Sequence, residues 1–174
     1  MIYKKLLILV EGPDDENIFN EIVKPKLKKK YHVVEVRRHS ELSKTERRNL
    51  FKWIRKECFN YFYIVDMNDE ECIPAKKQKI LARFNYINEE KIIVIRKEIE
   101  GWYRAGYDEE RARKWKIKPI IDTNSLTKEQ FNRLIPPHFT YRLPFMWEIL
   151  KHFQIETAKK KNISFNYFFE KHDC

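Results

Sequence analysis

The sequence predicts an α/β fold with a mostly parallel four-stranded sheet between helices and a helical C-terminal part. Four short apolar runs, at 3–10, 31–37, 61–65 and 91–95, alternate with segments that have helical spacing. Alternation of this kind is typical of parallel sheets with right-handed crossovers. The first and third runs are almost uninterrupted, as in parallel strands that are covered on both faces. After residue 96 the signals are mostly helical.

The first two strand–helix pairs have clear local signals. The helical segment after the first strand carries apolar residues at helical spacing, and Pro25 is expected to kink or shorten it. The second strand is β-branched and alternating, as in a strand with one polar face. Ser43 and Glu46 then have the spacing of a capping box, which predicts the start of a helix that turns Leu50, Phe51 and Ile54 inward.

Later elements are predicted from proline, cap and periodicity signals. Pro74 suits the first turn of the helix that leads to the fourth strand. Helical signals in the tail begin near Thr127, Pro144 and Ser164. The sequence therefore predicts strand, helix, strand, helix, strand, helix, strand, and then several helices.

The length of 174 residues predicts one domain with a substantial core. No internal repeat or low-complexity linker divides the chain, and only three glycines are present. We expect residues 1–105 to form the α/β core and residues 106–174 to form a mainly helical extension packed on the same domain.

The composition excludes a disordered chain and points to an acidic partner. Hydrophobic residues make up 43% of the chain, which is too apolar for intrinsic disorder. The formal net charge of +10 favours a polyanion, with nucleic acid first and an anionic membrane surface second. A lysine-rich surface that serves solubility or a hot habitat is the alternative.

Several absences predict a cytoplasmic protein without a membrane segment. Cys58, Cys72 and Cys174 have neither disulfide-like nor zinc-like spacing, which favours a reducing compartment. No stretch approaches the roughly 20 apolar residues of a membrane span. The N-terminus leads almost directly into a predicted strand, so we expect no cleavable signal.

Acidic side chains follow three of the predicted strands at the point where each strand ends. The first strand is followed by Glu11, and the fourth by Glu98 and Glu100. The third is followed by Asp66, Asp69 and Glu70, together with the amide Asn68. Ligands of open parallel sheets bind beyond the carboxyl ends of the strands. Carboxylates brought together there repel one another, and a divalent cation relieves the repulsion. Hard oxygen ligands suit Mg²⁺ or Mn²⁺.

A structural role is the competing interpretation for each acid. Asp14 and Glu16 follow the first strand at the start of a helix, where acids complement the helix dipole, so a structural role is favoured for both. Glu11 and Asp66 directly follow buried strands, and for them a functional role is favoured. We also expect Trp102 and Tyr103 to be core residues rather than base-stacking ones.

The stretches "LILVEGPDD" and "YFYIVDMNDE" resemble the two signature motifs of the Toprim domain, found in topoisomerases, bacterial primases, maturases and OLD-type nucleases. The resemblance covers roughly residues 3–100 and implies a Toprim-like (Rossmann-like) fold. It implies that Glu11 acts as a general acid/base or metal-proximal carboxylate and that Asp66 is a metal ligand. Asp15 stands at the acid position of the first motif.

The chain departs from the family pattern at one position, and two further segments outside the signature motifs add to the resemblance. Asn68 stands where the family pattern has a second aspartate, so metal affinity should fall unless Asp69 or Glu70 compensates. Farther along, "EIEGWYRAG" and "AKKKNISFNYFF" resemble segments of small stand-alone OLD-like Toprim proteins. The first of these implies that Glu100 is a further metal-site carboxylate, ahead of Glu98.

Basic clusters are candidates for contacts to a nucleic-acid backbone. They are Lys28, Lys29 and Lys30, Arg37 and Arg38, Arg47 and Arg48, and Lys159, Lys160 and Lys161. Each cluster alone is more typical of a solvated face, but together with the net charge they predict salt-sensitive binding. A phosphate-binding GK[ST] loop, an HExxH zinc motif and a nucleophile elbow are absent from the sequence.

These observations predict a Mg²⁺-dependent phosphodiesterase of the Toprim class that acts on DNA or RNA, as a possible homodimer or with a partner protein. The alternative is a nucleic-acid-binding module whose metal site is weak or inactive and which acts beside a partner protein. A protein-interaction domain with a structural cation is a third, less favoured hypothesis.

Overall fold

The computed structural model describes residues 3–172 and has an α/β fold, in which helices flank an all-parallel four-stranded sheet of order β2-β1-β3-β4. The strands are β1 (Lys5–Val10), β2 (Val33–Arg38), β3 (Asn60–Asp66) and β4 (Ile92–Ile95). All four predicted strands are confirmed, with ends displaced by at most two residues. The register aligns Leu6 of β1 with Val34 of β2 and Asn60 of β3.

The helices between the strands follow the predicted order. They are α1 (Pro13–Ile18), a π-helical turn (Phe19–Val23) and α2 (Lys24–Leu27), then α3 (Lys44–Lys56), and then α4 (Ile73–Arg83) with a 3₁₀ turn (Glu89–Lys91). The π-helical turn ends at Val23, two residues before Pro25, which has no N–H to continue the α-helical pattern, so the expected distortion is confirmed. Ser43 and Glu46 form the predicted capping box at the start of α3.

One hydrophobic core explains why the strands are so apolar. The side chains of β1 from Leu6 to Val10 are fully buried. Leu7 and Leu9 pack in a cluster with Phe51 of α3 and Ile80 of α4. Strands covered in this way cannot alternate apolar and polar residues, which is the reason for the continuous runs in the sequence.

The described chain divides into two compact units, residues 3–94 and residues 95–172. The second unit is helical after the end of β4. Its helices are α5 (Glu100–Gly106), α6 (Glu109–Lys114), α7 (Lys128–Asn132), α8 (Arg142–Lys151), α9 (Ile155–Lys161) and α10 (Ile163–His172). Trp102 and Tyr103 are fully buried in this unit, as expected for core residues.

The second unit is organised around α5, whose seven residues are all buried. A Cβ on Gly101 would lie 2.8 Å from the carbonyl oxygen of Thr123, and one on Gly106 would lie 2.2 Å from the ring of Phe153. The two glycines therefore permit close packing. Glycine also lowers helix propensity, which explains why this stretch carries no helical signal of its own.

Residues of the "KNIS" stretch join α10 to α5. The indole Nε1 of Trp102 donates to Ser164 Oγ at 2.9 Å, and the backbone N–H of Arg96 donates to the same oxygen at 3.1 Å. The Ser164 hydroxyl in turn donates to Asn162 Oδ1 at 2.8 Å. The buried serine thus satisfies polar groups from three parts of the second unit.

Two remaining expectations concern membranes and cysteines. Within residues 3–172, no helix has both the length and the apolar character needed to cross a membrane. Cys58 and Cys72 are exposed free thiols, and Cys174 lies outside the described residues.

Candidate functional site

The ends of β1 and β3 bring Glu11 and Asp66 together. The backbone N–H of Asp66 donates to Glu11 Oε2 over 3.5 Å. The loop after β2 joins them, because the hydroxyl of Ser40 donates to the carbonyl oxygen of Glu11. Three separated stretches of sequence therefore meet at the carboxyl edge of the sheet, as expected for parallel strands.

The Glu11 carboxylate is partly withdrawn from water. Burial raises the pKa of Glu11 above that of an exposed glutamate, while the positive charge of Lys76 and the N–H of Asp66 act in the opposite direction. Desolvation is the larger effect. Glu11 therefore holds a proton more readily than an ordinary surface glutamate does.

Glu11 lies on the wall of a cleft of about 420 Å³ that is otherwise rich in cations. Arg47 of α3 lines the cleft, together with Lys76, Lys79 and Arg83 of α4. The three α4 residues are spaced i, i+3 and i+7, so they share one face of the helix. Four cations around one carboxylate make the cleft suited to an anionic ligand.

The cations of α4 were not identified as candidates from the sequence. Lys76, Lys79 and Arg83 are scattered in "KKQKILARF" rather than clustered. Their helical spacing after a strand that ends in acids is the signal that could have identified them.

Arg47 is the most buried cation of the cleft, with 7% of its surface exposed. Its Nη2 donates to the carbonyl oxygens of His39 at 2.6 Å and Leu42 at 3.3 Å. Its Nε has no hydrogen-bond partner among the described residues, and no described carboxylate forms an ion pair with it. The guanidinium lies 4.6 Å from the centroid of the Phe84 ring.

A neutral histidine–tyrosine pair also lines the cleft. The ring of His39 stacks on Tyr63 with centroids 4.2 Å apart. His39 Nε2 lies 3.0 Å from the carbonyl oxygen of Ile64, and Nδ1 lies 3.2 Å from the Tyr63 hydroxyl. This geometry fits a ring that donates from Nε2 and accepts at Nδ1. Burial lowers the pKa of His39 to about 4 and raises that of Tyr63 to about 12, so both are neutral at pH 7.

The three polar residues after Asp66 have different surroundings. Asn68 has a φ of 54°, in the left-handed region that asparagine adopts more easily than most residues, and its Nδ2 donates to the Asp66 carbonyl oxygen at 3.4 Å. Glu70 forms an ion pair with Lys79. Asp69 is exposed. The turn itself thus gives a conformational reason for asparagine at position 68.

Asp15 and Glu16 have structural contacts at the start of α1. Asp15 is buried, and its Oδ2 accepts a hydrogen bond from the backbone N–H of Gly12 at 3.1 Å. Glu16 forms an ion pair with Arg38 at 3.1 Å. Both contacts agree with the structural interpretation of acids in a first helical turn.

Glu98 and Glu100 belong to the second unit and have partners there. Glu100 is buried at the start of α5, where its carboxylate forms an ion pair with Arg142. Glu98 accepts a hydrogen bond from the backbone N–H of Lys128. The metal role that the resemblance implies for Glu100 stays a prediction.

The donors of the first unit fit one particular mode of magnesium binding. Among residues 3–172, no group of three or more acids, histidines or cysteines is arranged to hold a metal ion. Glu11 and Asp66 nevertheless supply two carboxylates at the same edge of the sheet, and the backbone of Asp66 contacts the Glu11 carboxylate. Mg²⁺ is commonly held by one or two carboxylates together with phosphate oxygens and waters, rather than by a protein cage. The donor set fits that shared mode.

The predicted nucleic-acid contacts are distributed over several surfaces. Lys28, Lys29 and Lys30 are exposed, and the last two line a groove of about 700 Å³ with Lys4 and Lys5. This groove lies at the amino ends of β1 and β3, the edge of the sheet opposite to Glu11.

The other predicted basic residues mostly have acidic neighbours. Arg37 pairs with Glu35 at 2.7 Å, Arg38 with Glu41 at 2.6 Å, and Lys159 with Glu156 at 3.0 Å, whereas Lys160 is exposed. Surface pairs of this kind contribute little to stability and leave the side chains able to contact phosphates.

The carboxyl edge of the sheet thus has a cleft that combines the Glu11 carboxylate with four cations and a neutral histidine–tyrosine pair, and the Glu11 carboxylate contacts the backbone of Asp66. No protein-family model, no curated protein and no solved structure matches the chain.

Proposed function

We propose that this protein is a Toprim-like, Mg²⁺-dependent phosphodiesterase that acts on DNA or RNA. One observation carries the proposal. The carboxylate of Glu11 contacts the backbone of Asp66 and also lines a cleft with Arg47, Lys76, Lys79 and Arg83.

The cations would bind the phosphate backbone of the substrate. Lys and Arg side chains supply most of the sequence-independent affinity of proteins for nucleic acid, and this affinity falls steeply with salt. The net charge of +10 and the groove that includes Lys29 and Lys30, at the opposite edge of the sheet, give the protein further basic surface outside the cleft. A long polyanion fits this distribution better than a small ligand does.

Glu11 and Asp66 would hold Mg²⁺ or Mn²⁺. When bound, such an ion polarises the scissile phosphate and makes an attacking water more acidic. Glu11 would accept the proton of that water as its oxygen bonds to phosphorus and the bond to the leaving oxygen breaks. Lys76 and Lys79 would stabilise the negative charge that develops on the phosphate oxygens.

The proposal is tested by cleavage of end-labelled single- and double-stranded DNA and RNA with Mg²⁺ or Mn²⁺. We expect Glu11→Gln to lower the cleavage rate by at least roughly 100-fold, because it removes the proton acceptor. Glu21→Gln, on the exposed surface, is the control and should cleave as the wild type does. Intact substrates in every wild-type reaction, or an unchanged rate in Glu11→Gln, would overturn the proposal.

A second candidate is a nucleic-acid-binding module that acts with a partner protein and does not cut. Glu70, a predicted third acid, is held by Lys79, and the side chain of Asn68 is turned to the Asp66 carbonyl. This candidate predicts binding that weakens with salt, is unchanged by EDTA, and is not followed by cleavage.

A further inference from the structure

The cleft that Glu11 lines adjoins a side pocket of about 370 Å³ that no acid lines. Its walls are formed by Ser40, Leu42, Lys44, Arg47, Arg83 and Phe84. Arg47, Arg83 and Phe84 also line the main cleft, so the two spaces share a wall. A ligand in the side pocket would therefore lie next to the cleft that Glu11 lines.

The two guanidinium groups of the side pocket converge on one ring. The guanidinium of Arg47 lies 4.6 Å from the Phe84 centroid, and that of Arg83 lies 5.1 Å from it. Neither forms an ion pair with any residue in the range 3–172. The aromatic ring supports both cations but supplies no negative charge.

Arg47 is a buried charge in a pocket that no acidic side chain lines. A charge this deeply buried is costly unless an opposite charge or hydrogen bonds compensate it. Two backbone carbonyls occupy only its Nη2, while Nε has no partner among the described residues. Arg47 lines the pocket, where an anion would supply the opposite charge that no described carboxylate provides.

We propose that the side pocket binds a phosphomonoester, the terminal phosphate of a nucleic-acid strand. This inference rests on the proposed function and names the part of the substrate that is recognised. A terminal phosphate carries a charge of about −1.5 to −2 at pH 7, whereas each internal phosphodiester carries a single charge. Two guanidinium groups match the first better, and arginine can bind phosphate oxygens with two hydrogen bonds at once.

The test measures binding in EDTA, so that cleavage does not contribute. Three oligonucleotides of one sequence are compared, with a 5′-phosphate, a 3′-phosphate or hydroxyl groups at both ends. We expect one phosphorylated end to raise affinity at least roughly tenfold over the hydroxyl form, since charge-assisted hydrogen bonds are stronger than neutral ones. Arg83→Gln should remove this preference.

Arg83 is the residue to change because it is exposed, whereas Arg47 also holds the loop carbonyls of His39 and Leu42. Arg48→Gln is the matched control. It removes the same charge from an exposed position on α3 that lines neither space, and it should keep the preference. Equal affinity for all three oligonucleotides, or a preference that Arg83→Gln retains, would overturn the inference and leave the proposed function intact.

Thermal denaturation with inorganic phosphate or a nucleoside monophosphate distinguishes failure of the side-pocket inference from failure of the proposed function. Either ligand should raise the melting temperature of the wild type and of Arg48→Gln more than that of Arg83→Gln. If this pattern appears but no oligonucleotide binds, the pocket takes small phosphomonoesters and the proposed function is wrong. If neither ligand nor any oligonucleotide end has an effect, the pocket assignment is wrong.

Discussion

The carboxylate of Glu11 accepts a hydrogen bond from the backbone of Asp66, although 55 positions separate the two residues in the chain. Parallel pairing of β1 with β3 places the ends of both strands at the same edge of the sheet. The helix after Asp66 then turns Lys76 toward the same carboxylate. The ionisation of Glu11 thus depends on groups from three parts of the first unit, namely the ends of β1 and β3 and the helix α4.

Replacing Lys76 by glutamine should raise the pKa of Glu11 further. The positive charge of Lys76 favours the ionised carboxylate, and without it desolvation acts with less opposition. The titration of the Glu11 carboxyl carbon by NMR measures the effect. Lys77→Gln is the control, because Lys77 donates to the carbonyl oxygen of Glu89 and lies on the same helix as Lys76. An equal rise in both variants would assign the effect to net charge rather than to Lys76.

The buried His39 should make the first unit sensitive to acid. The pKa of His39 is about 4 in the folded protein, against 6.5 for an exposed histidine, so above pH 6.5 neither the folded nor the unfolded state is protonated. Between pH 6.5 and 4 the unfolded state gains a proton that the folded state does not. The free energy of unfolding should therefore fall across this window, by up to roughly 3 kcal/mol.

Urea denaturation at pH 7 and pH 4.5 measures this loss. His39→Gln should lose less stability between the two pH values than the wild type does, whatever its stability at pH 7. His138→Gln, which changes an exposed ring in the second unit, should behave as the wild type. A pH dependence that is the same in all three proteins would contradict the prediction.

Ser164→Ala should destabilise the second unit by about 1–3 kcal/mol, because it removes the acceptor of one buried and one partly buried N–H group. These groups are the indole of Trp102 and the backbone amide of Arg96. Chemical denaturation followed by tryptophan fluorescence measures the change. Ser125→Ala, at an exposed position, should be nearly neutral. Equal stability of the two variants would mean that the buried hydrogen bonds are not required.

Gly101→Ala should destabilise the second unit as well. The new methyl group would lie 2.8 Å from the backbone carbonyl oxygen of Thr123, which cannot move as a side chain can. Overpacking typically costs about 1–3 kcal/mol, of which the better helix propensity of alanine recovers up to about 1 kcal/mol. Gly12→Ala is the comparison, since its nearest neighbour is a side-chain oxygen at 3.3 Å. A larger loss of stability in Gly12→Ala, measured by thermal denaturation, would be the contrary result.

Local signals were sufficient for the strands and for several helix starts. The apolar runs, the capping box at Ser43 and the proline near the start of α4 all specify structure through neighbouring residues. Helix α5 was not predicted, because its two glycines lower propensity and only close packing against other parts of the second unit stabilises it.

The amino-acid sequence by itself determined that the chain alternates strands and helices and that Glu11 and Asp66 each follow a buried strand. Only the tertiary structure decided which charges surround them. Glu70 pairs with Lys79, and Arg47 of α3 is buried against Phe84, which Arg83 of α4 also contacts. These contacts join residues from different parts of the chain. Hydrophobic periodicity is a property of neighbouring residues, whereas desolvation and ion pairing depend on side chains that meet only after the sheet and its helices have packed.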